Sequence, residues 1–448
     1  MVDGRGVGDG GHRATLATRC AAVPDRPGSG PAALTTRQVL PSGSVLSLAQ
    51  QVDLPGPEPA LPEVPVTLTT ATSPLIERAR ALTPLIEAEA AASEREGTMT
   101  AAVVDALRDA GLFWLLVPTE LGGSEADVVT SLAVFEELAY ADGSTGWSAM
   151  ANATTSCFAA IYTGDEAVQA MFGDHLGIHA GMLGPIGEAH RVDGGYSVSG
   201  RYQFGSGCGH ADWVGSGAME MVDGEPGVSE LGLPAMRVFF VPRDQVDFRG
   251  NWNVLGLAGT GSYDYAVEGA VVPEAFSFSL LEAVARRGGP GYGIGLFAIT
   301  AIGHAAFALG VGRRAVDEVL AIARSKQRLG ADPVAGQQIF QHDFAMHDAA
   351  MRAARAYVYE SFAEVEAAVL SDGMASIEQQ QRVRQCTTYA TRVAADAARF
   401  AYTWAGSSGL RSPSVVQRCF RDIHAGTQHL YVDNNTLTGY TQARLADG

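Results

Sequence analysis

Five cysteines in 448 residues (Cys20, Cys157, Cys208, Cys386 and Cys419) are too few and too scattered for a disulfide framework, and no two are spaced as CxxC. The sequence therefore predicts a reducing, cytoplasmic setting and no metal site. Basic residues are also scarce. The 31 Lys and Arg against 49 Asp and Glu give a formal charge of -18, a field that repels phosphate backbones and anionic lipid, so neither nucleic acid nor a membrane is expected as a partner. Long apolar runs without charge are nearly missing. The stretch from Tyr292 to Gly312 is long enough to span a bilayer. It is interrupted by glycines at 293, 295, 303, 310 and 312 and by Thr300 and His304, and no second such segment accompanies it. A helix buried on all sides of a bundle is expected there instead. Also absent is a strand–GxGxxG–helix unit. The string GPGYGIG at 289–295 opens an apolar helical stretch with no strand before it, so the chain is not expected to carry its own nicotinamide site.

What is present is ample core material, 47% hydrophobic against 18% charged, enough for two or three domains. Residues 1–72, rich in Gly, Pro, Ala, Ser and Thr, show no sustained apolar period or apolar leader and are expected to be a disordered extension. Ser73-Pro74 then reads as a helix cap with proline in the first turn, followed by Leu75, Ile76, Ala79, Leu82, Leu85 and Ile86 at helical spacing. A helical domain is expected over 73–177, with helices at about 127–140 and 144–162 around Asp142-Gly143. The period then changes to two. His190–Phe204 around Asp193-Gly194-Gly195 reads as a hairpin, and Met236–Val241 and Tyr265–Val272 add strands, giving a β-domain over 178–288. From 289 to 448 the pattern is helical again, at 292–326, 337–370, 376–405 and 414–432, which predicts a four-helix bundle. The class is α+β, mostly α.

This order resembles the acyl-CoA dehydrogenase fold, and the resemblance covers the chain from Ser73 onward. DALRDAGLFWLLVPTELGGSEAD (105–127) is similar to that superfamily's N-terminal segment, and GLAGTGSYDYAVEGAVVPE (256–274) to the end of its β-domain. GGYSVSGRYQFGSGCGHADW (194–213) and RDIHAGTQH (421–429) resemble one branch, the oxygenase components of two-component flavin-dependent monooxygenases, such as the hydroxylases of p-hydroxyphenylacetate and of phenolic steroid rings. Dehydrogenases of the superfamily need a carboxylate to take a proton beside a thioester, and many carry it shortly after an Arg-Asp like Arg421-Asp422. Positions 423–431 hold no glutamate.

The branch implies reduced FMN or FAD supplied by a separate flavin reductase, O2, a C4a-hydroperoxyflavin, and a small aromatic or other organic substrate. It also implies a homotetramer. Residue by residue, it implies Ser206 as a hydrogen-bonding partner of the flavin and its peroxide, although a Gly-Ser-Gly triplet is also an ordinary bend. It implies His429 as the acid-base group, with an unperturbed pKa of about 6.5 suited to a phenolic or peroxide proton. His424, five positions away, would point about 140° elsewhere on a continuous helix. Lys326 would serve the flavin phosphate of a neighbouring subunit, the alternative being that it lies on a solvated face with Arg324 and Arg328, and Gly406-Ser407-Ser408 would serve the ribityl phosphate. Trp147 would stack near the ring or fill core. The branch's histidine on the helix after Gly146-Trp147 is missing, and Asn152, Thr154 and Thr155 stand about there, so Asn152 and Thr155 are expected to line the substrate pocket. That departure leaves oxidation at nitrogen open. An acyl-CoA dehydrogenase or oxidase and a non-catalytic helical assembly protein are the alternatives.

Overall fold

Serine followed by proline starts the first helix as the sequence predicts. Ser73 caps α1 (Pro74–Glu96), its Oγ accepting from the Leu75 amide at 3.4 Å, and Pro74 occupies the first turn, where no amide partner is needed. The computed structural model describes residues 73–327, 330 and 333–446, and the extension expected over 1–72 lies outside the described residues. Four more helices follow: α2 (Ala101–Asp109), α3 (Val128–Ala141), α4 (Gly143–Tyr162) and α5 (Asp165–Phe172). One aspartate makes the junction between α3 and α4. The Asp142 amide closes α3 on Leu138, while its Oδ2 accepts from the Thr145 amide at 2.9 Å and so caps α4. Its other oxygen meets the buried Arg418 guanidinium at 3.0 Å.

Alternation of apolar and polar residues then produces eight strands: β1 (His179–Val192), β2 (Gly195–Gly205), β3 (Trp213–Val222), β4 (Glu225–Pro226), β5 (Met236–Pro242), β6 (Asp247–Gly250), β7 (Tyr263–Val272) and β8 (Ser277–Ser279). They form one sheet in the order β6-β7-β2-β1-β3-β5-β8, with β4 paired to β3. The expected hairpin is present, Val192 facing Gly195 across the turn. β1 and β3 run parallel, and β1 is irregular between Met182 and Gly187. Tyr196, Val198, Tyr202, Val214, Phe239 and Tyr265 build the sheet's own apolar core.

Helices return with α6 (Gly295–Ser325), α7 (Gln338–Asp372), α8 (Ile377–Ala405), α9 (Val415–Gly426) and α10 (Asn435–Ala446). α6 packs against α3, α4, α8 and α9. It approaches α3 so closely that a Cβ on Gly310 would stand 2.4 Å from the Glu136 carbonyl oxygen, and one on Gly303 would stand 2.6 Å from Met150 Sδ on α4. Backbone contact of this kind requires glycine. The stretch long and apolar enough to cross a membrane, Pro290–Ser325, has 78% of its most apolar window buried. Beside α6 the carboxylate of Glu136 is enclosed by Arg355 Nε at 3.0 Å, Tyr359 Oη at 2.7 Å and Arg313 Nη1 at 3.3 Å, joining α3, α6 and α7 through one buried charge.

The expected helix over 414–432 differs in its second half. α9 stops at Gly426, where a Cβ would meet the Phe307 ring at 2.6 Å, and Thr427 Oγ1 caps the end by donating to the His424 carbonyl at 2.7 Å. Tight turns carry the chain through Leu430–Val432, and Asp433 Oδ1 accepts the Asn435 amide at 2.7 Å as α10 begins. His429 therefore stands on a turn rather than on a helix. It is not related to His424 by the 140° step of a continuous helix.

Candidate active site

The end of β2 is a strained corner. Phe204 has a left-handed backbone (φ 63°) and an exposed ring, the Ser206 amide reaches back to the Phe204 carbonyl at 2.8 Å, and Gly207 (φ 76°) turns the chain against Asn152. The corner presents Ser206 to two hydrogen-bonding neighbours. Trp147 Nε1 on α4 donates to Ser206 Oγ at 3.0 Å, and Ser262 Oγ lies 2.8 Å away. Ser262 in turn lies 2.7 Å from Thr260 Oγ1, which is 2.7 Å from the Leu257 carbonyl oxygen.

The directions in this chain follow from proton counting. A carbonyl only accepts and each hydroxyl has one proton, so Thr260 donates to Leu257 and must accept from Ser262. Ser262 must then accept from Ser206, whose other neighbour, an indole N–H, only donates. Ser206 has thus committed its proton inward. What it retains is an accepting lone pair, which suits a ligand that brings an N–H or O–H.

Trp147 links this chain to a group of rings. Its indole meets His304 of α6 at 5.0 Å between centroids, Phe307 at 4.9 Å and His429 at 5.6 Å, each edge-on. His304 and His429 lie 4.3 Å apart, and Tyr431 stacks on His304 at 5.3 Å. The Tyr431 amide donates to His429 Nδ1 at 3.3 Å. Burial pushes the His429 imidazole down to about 4, and burial together with the charge of His429 holds His304 well below the ordinary histidine range. Burial raises the Tyr431 phenol, with Thr300 and Arg384 acting against it. Near neutral pH all three are uncharged. No carboxylate among the described residues acts on any of them, and Asp422 accepts the Leu257 amide at 2.6 Å. The thioester base that the sequence lacks after Arg421-Asp422 is not replaced from elsewhere on these rings.

The remaining expected residues fall in different places. Asn152 is fully buried, its Nδ2 donating to the His179 carbonyl at 2.9 Å and its Oδ1 lying 2.9 Å from His210 Nε2, so the amide ties α4 to β1 and to the turn between β2 and β3. Thr155 Oγ1 donates back to the Ala151 carbonyl at 2.8 Å. Thr154, seven positions from Trp147 and so within about 20° of it around the helix, has a buried hydroxyl without a hydrogen-bond partner. Lys326 and the Gly406-Ser407-Ser408 turn, distant in sequence, come together: the Lys326 ammonium donates to the Ala405 carbonyl and lies 3.5 Å from Ser408 Oγ. His424 is occupied elsewhere, its ring 4.2 Å from that of Phe420 and its Nδ1 2.7 Å from the Phe420 carbonyl oxygen. Sequence reasoning missed His304 as a site residue. The signal available was its position as the one histidine in an otherwise apolar, charge-free run. No group of three or more metal-ligating side chains occurs among the described residues.

Comparison with known proteins agrees with the geometry. Residues 78–174 match the family described as acyl-CoA dehydrogenase, N-terminal domain, and residues 302–434 match acyl-CoA dehydrogenase, C-terminal domain. Indole-3-acetate monooxygenase of Pseudomonas putida is 31% identical over 350 residues, covering 77% of this chain and 86% of the relative. The oxygenase subunit HsaA of a flavin-dependent monooxygenase from Rhodococcus jostii is 27% identical over 369 residues, covering 79% and 93%. Among solved structures, the 3-HSA hydroxylase from Rhodococcus sp. RHA1 superimposes with a TM-score of 0.78 at 26% identity, covering 84% of this chain and 97% of that one.

Proposed function

Because this chain belongs to the acyl-CoA dehydrogenase family, in its branch of flavin-dependent monooxygenases, we propose that it is the oxygenase component of a two-component system hydroxylating a small aromatic substrate. The observation that carries this reading is the direction of the Trp147–Ser206–Ser262–Thr260 chain, which leaves Ser206 an acceptor. Reduced flavin carries a hydrogen on N5 and oxidised flavin does not, so the acceptor is complementary to the reduced form. Exposed Phe204, edge-on to half-buried Trp252, offers an apolar surface for a planar ring next to that acceptor. The residues present fit the cofactor.

When bound, reduced FMN or FAD supplies the two electrons that divide O2 between substrate and water. Ser206, held in place by Trp147, would accept a hydrogen bond from the reduced flavin. Trp147, Phe307 and Tyr431 keep the surroundings dry, which limits loss of electrons to solvent chemistry. His429 serves the substrate side, and the unpaired Thr154 hydroxyl, with Thr155 a position further on, lines the pocket there. Without a carboxylate at these rings, removal of a proton beside a thioester has no base.

Lys326 follows α6 directly and lies about 30 Å along that helix from His304. That exceeds the reach of a ribityl phosphate chain. If Lys326 with Gly406 and Ser407 serves a flavin phosphate, as the family resemblance implies, it is that of a second copy, which requires at least a dimer and fits a homotetramer. A separate flavin reductase supplies the cofactor. The buried free thiols Cys157, Cys208, Cys386 and Cys419 support a cytoplasmic location. The test is to mix the protein with photoreduced FMN or FAD and then with O2 in a stopped-flow instrument. A long-lived absorbance distinct from both reduced and oxidised flavin is expected, and direct conversion to oxidised flavin in protein and buffer alike would reject the reading.

A further inference from the structure

His429 has its Nδ1 occupied as an acceptor of the Tyr431 amide at 3.3 Å. A ring nitrogen that accepts cannot carry the proton, so the neutral ring carries it on Nε2. Taking a further proton on Nδ1 would break that bond, and using Nε2 as a base would require the opposite tautomer. Both are opposed by the backbone of the turn on which His429 sits.

The ring's plane is set by its neighbours. His304 lies 4.3 Å away at 32°, Tyr431 at 5.7 Å and 26°, and Trp147 stands edge-on at 5.6 Å. His304 is the fixed member of this set, since it projects from the middle of α6, next to the Gly303 contact with Met150. The titratable and charged groups on each side are His304 from α6, Tyr431 from the same turn, and Arg384 from α8, which acts through Tyr431; α4 offers the uncharged Trp147. Each of these is neutral or cationic, and none favours an imidazolium at His429.

We infer that His304 is a positioning residue that holds His429 as a neutral Nε2–H hydrogen-bond donor, so that His429 meets an accepting, negatively charged oxygen in the site instead of acting as a general base. The inference rests on the oxygenase reading for what the oxygen belongs to, but not for the state of the ring. His304 contributes by stacking on one face of the imidazole and excluding water from it. As a second imidazole within stacking distance, it also makes a charge on the pair unfavourable.

The test uses the full-length protein with 15N-labelled histidine, without flavin. His429 is expected to show a pyridine-type Nδ1 and a pyrrole-type Nε2 in a single state from about pH 5.5 to 8. His304→Asn removes the stacked ring and admits water. A mixture of tautomers and a titration step near pH 6.5 are expected for His429, and product formed per flavin oxidised should acquire the same step and fall about tenfold. His304→Phe keeps the stack without a titratable group and should restore the single tautomer and the flat profile. If His304→Asn fails to fold, His304→Leu carries the same expectation. A wild-type His429 protonated on Nδ1 would overturn the proposal, as would a His304→Asn or His304→Leu variant with unchanged tautomer and pH profile. Absence of oxygenation by the wild-type protein would reject the functional reading alone, because the nitrogen signals still decide the role of His304.

Discussion

Replacing Ser262 with alanine reverses the one feature that matches this site to reduced flavin. In the native chain Ser206 gives its proton to Ser262 and accepts from Trp147, leaving a lone pair outward. Ser262→Ala removes the inward acceptor, and the Ser206 hydroxyl is then free to turn its proton toward the cofactor. Reduced flavin loses a hydrogen bond worth about 1 kcal/mol, and oxidised flavin, whose N5 accepts, gains one of similar size. The difference of about 2 kcal/mol corresponds to a change of about thirtyfold in the ratio of the two dissociation constants. The effect on the fold should be small, because once the Ser206 proton turns outward alanine leaves only a Thr260 lone pair without a donor. The assay is titration of each redox form, anaerobic for the reduced one, with enzyme fluorescence as the signal. Ser206→Ala serves as reference, and should weaken reduced flavin without strengthening oxidised flavin. An unchanged ratio in Ser262→Ala would show that the direction of the hydroxyl chain does not select the redox state.

Three further outcomes are expected. His429→Asn should leave folding and reduced-flavin binding intact and lower the rate of product formation by about two to three powers of ten, the scale for displacing one donor from a negatively charged oxygen, with His424→Asn, whose ring packs on Phe420, as the near-silent control in the same assay. Glu136→Ala should cost about 3 kcal/mol in urea unfolding, the lower end for a broken buried pair, because Arg313 and Arg355 are 33% and 47% exposed and can turn to water. Asp422 is raised to about 7 by burial first and Asp142 second, so the folded state binds a proton that the unfolded state has already released. Its contribution to stability is therefore greatest below about pH 4, declines as pH rises toward 7 and is level above that. Asp422→Asn should flatten this decline in denaturation midpoints taken across the range.

The sequence was most legible where one residue type has one physical use. Ser73-Pro74, the Gly194-Gly195 turn and Asp142-Gly143 each announced a boundary that the backbone follows. Local pattern failed where long-range contacts decide. α9 ends at Gly426, which packs on Phe307 more than a hundred positions away, and so the short turn that holds His429 read as part of a helix to 432, while α10 beyond it was not anticipated. His304 was hidden for a related reason, since an isolated histidine in an apolar run gives no sign of what stacks on it. Ser206 was legible as a residue, but its direction was not. That depends on Thr260 and Ser262, which lie in a string that reads only as the start of a strand. Asn152 shows the opposite limit. Its position on α4 suggested a ligand contact, while its amide is engaged by His179 of β1 and by His210 of the turn between β2 and β3.

The glycines of α6 have a consequence for how this protein can change over generations. Two neighbouring helices touch the α6 backbone at Gly303 and Gly310, so that even a methyl group there has no space. In a library of random substitutions, the segment around these positions should accept almost nothing larger, whatever substrate is used for selection. Adaptation to new substrates must then draw on the residues opposite α6, on the exposed corner at Phe204 and on the turn after Gly426.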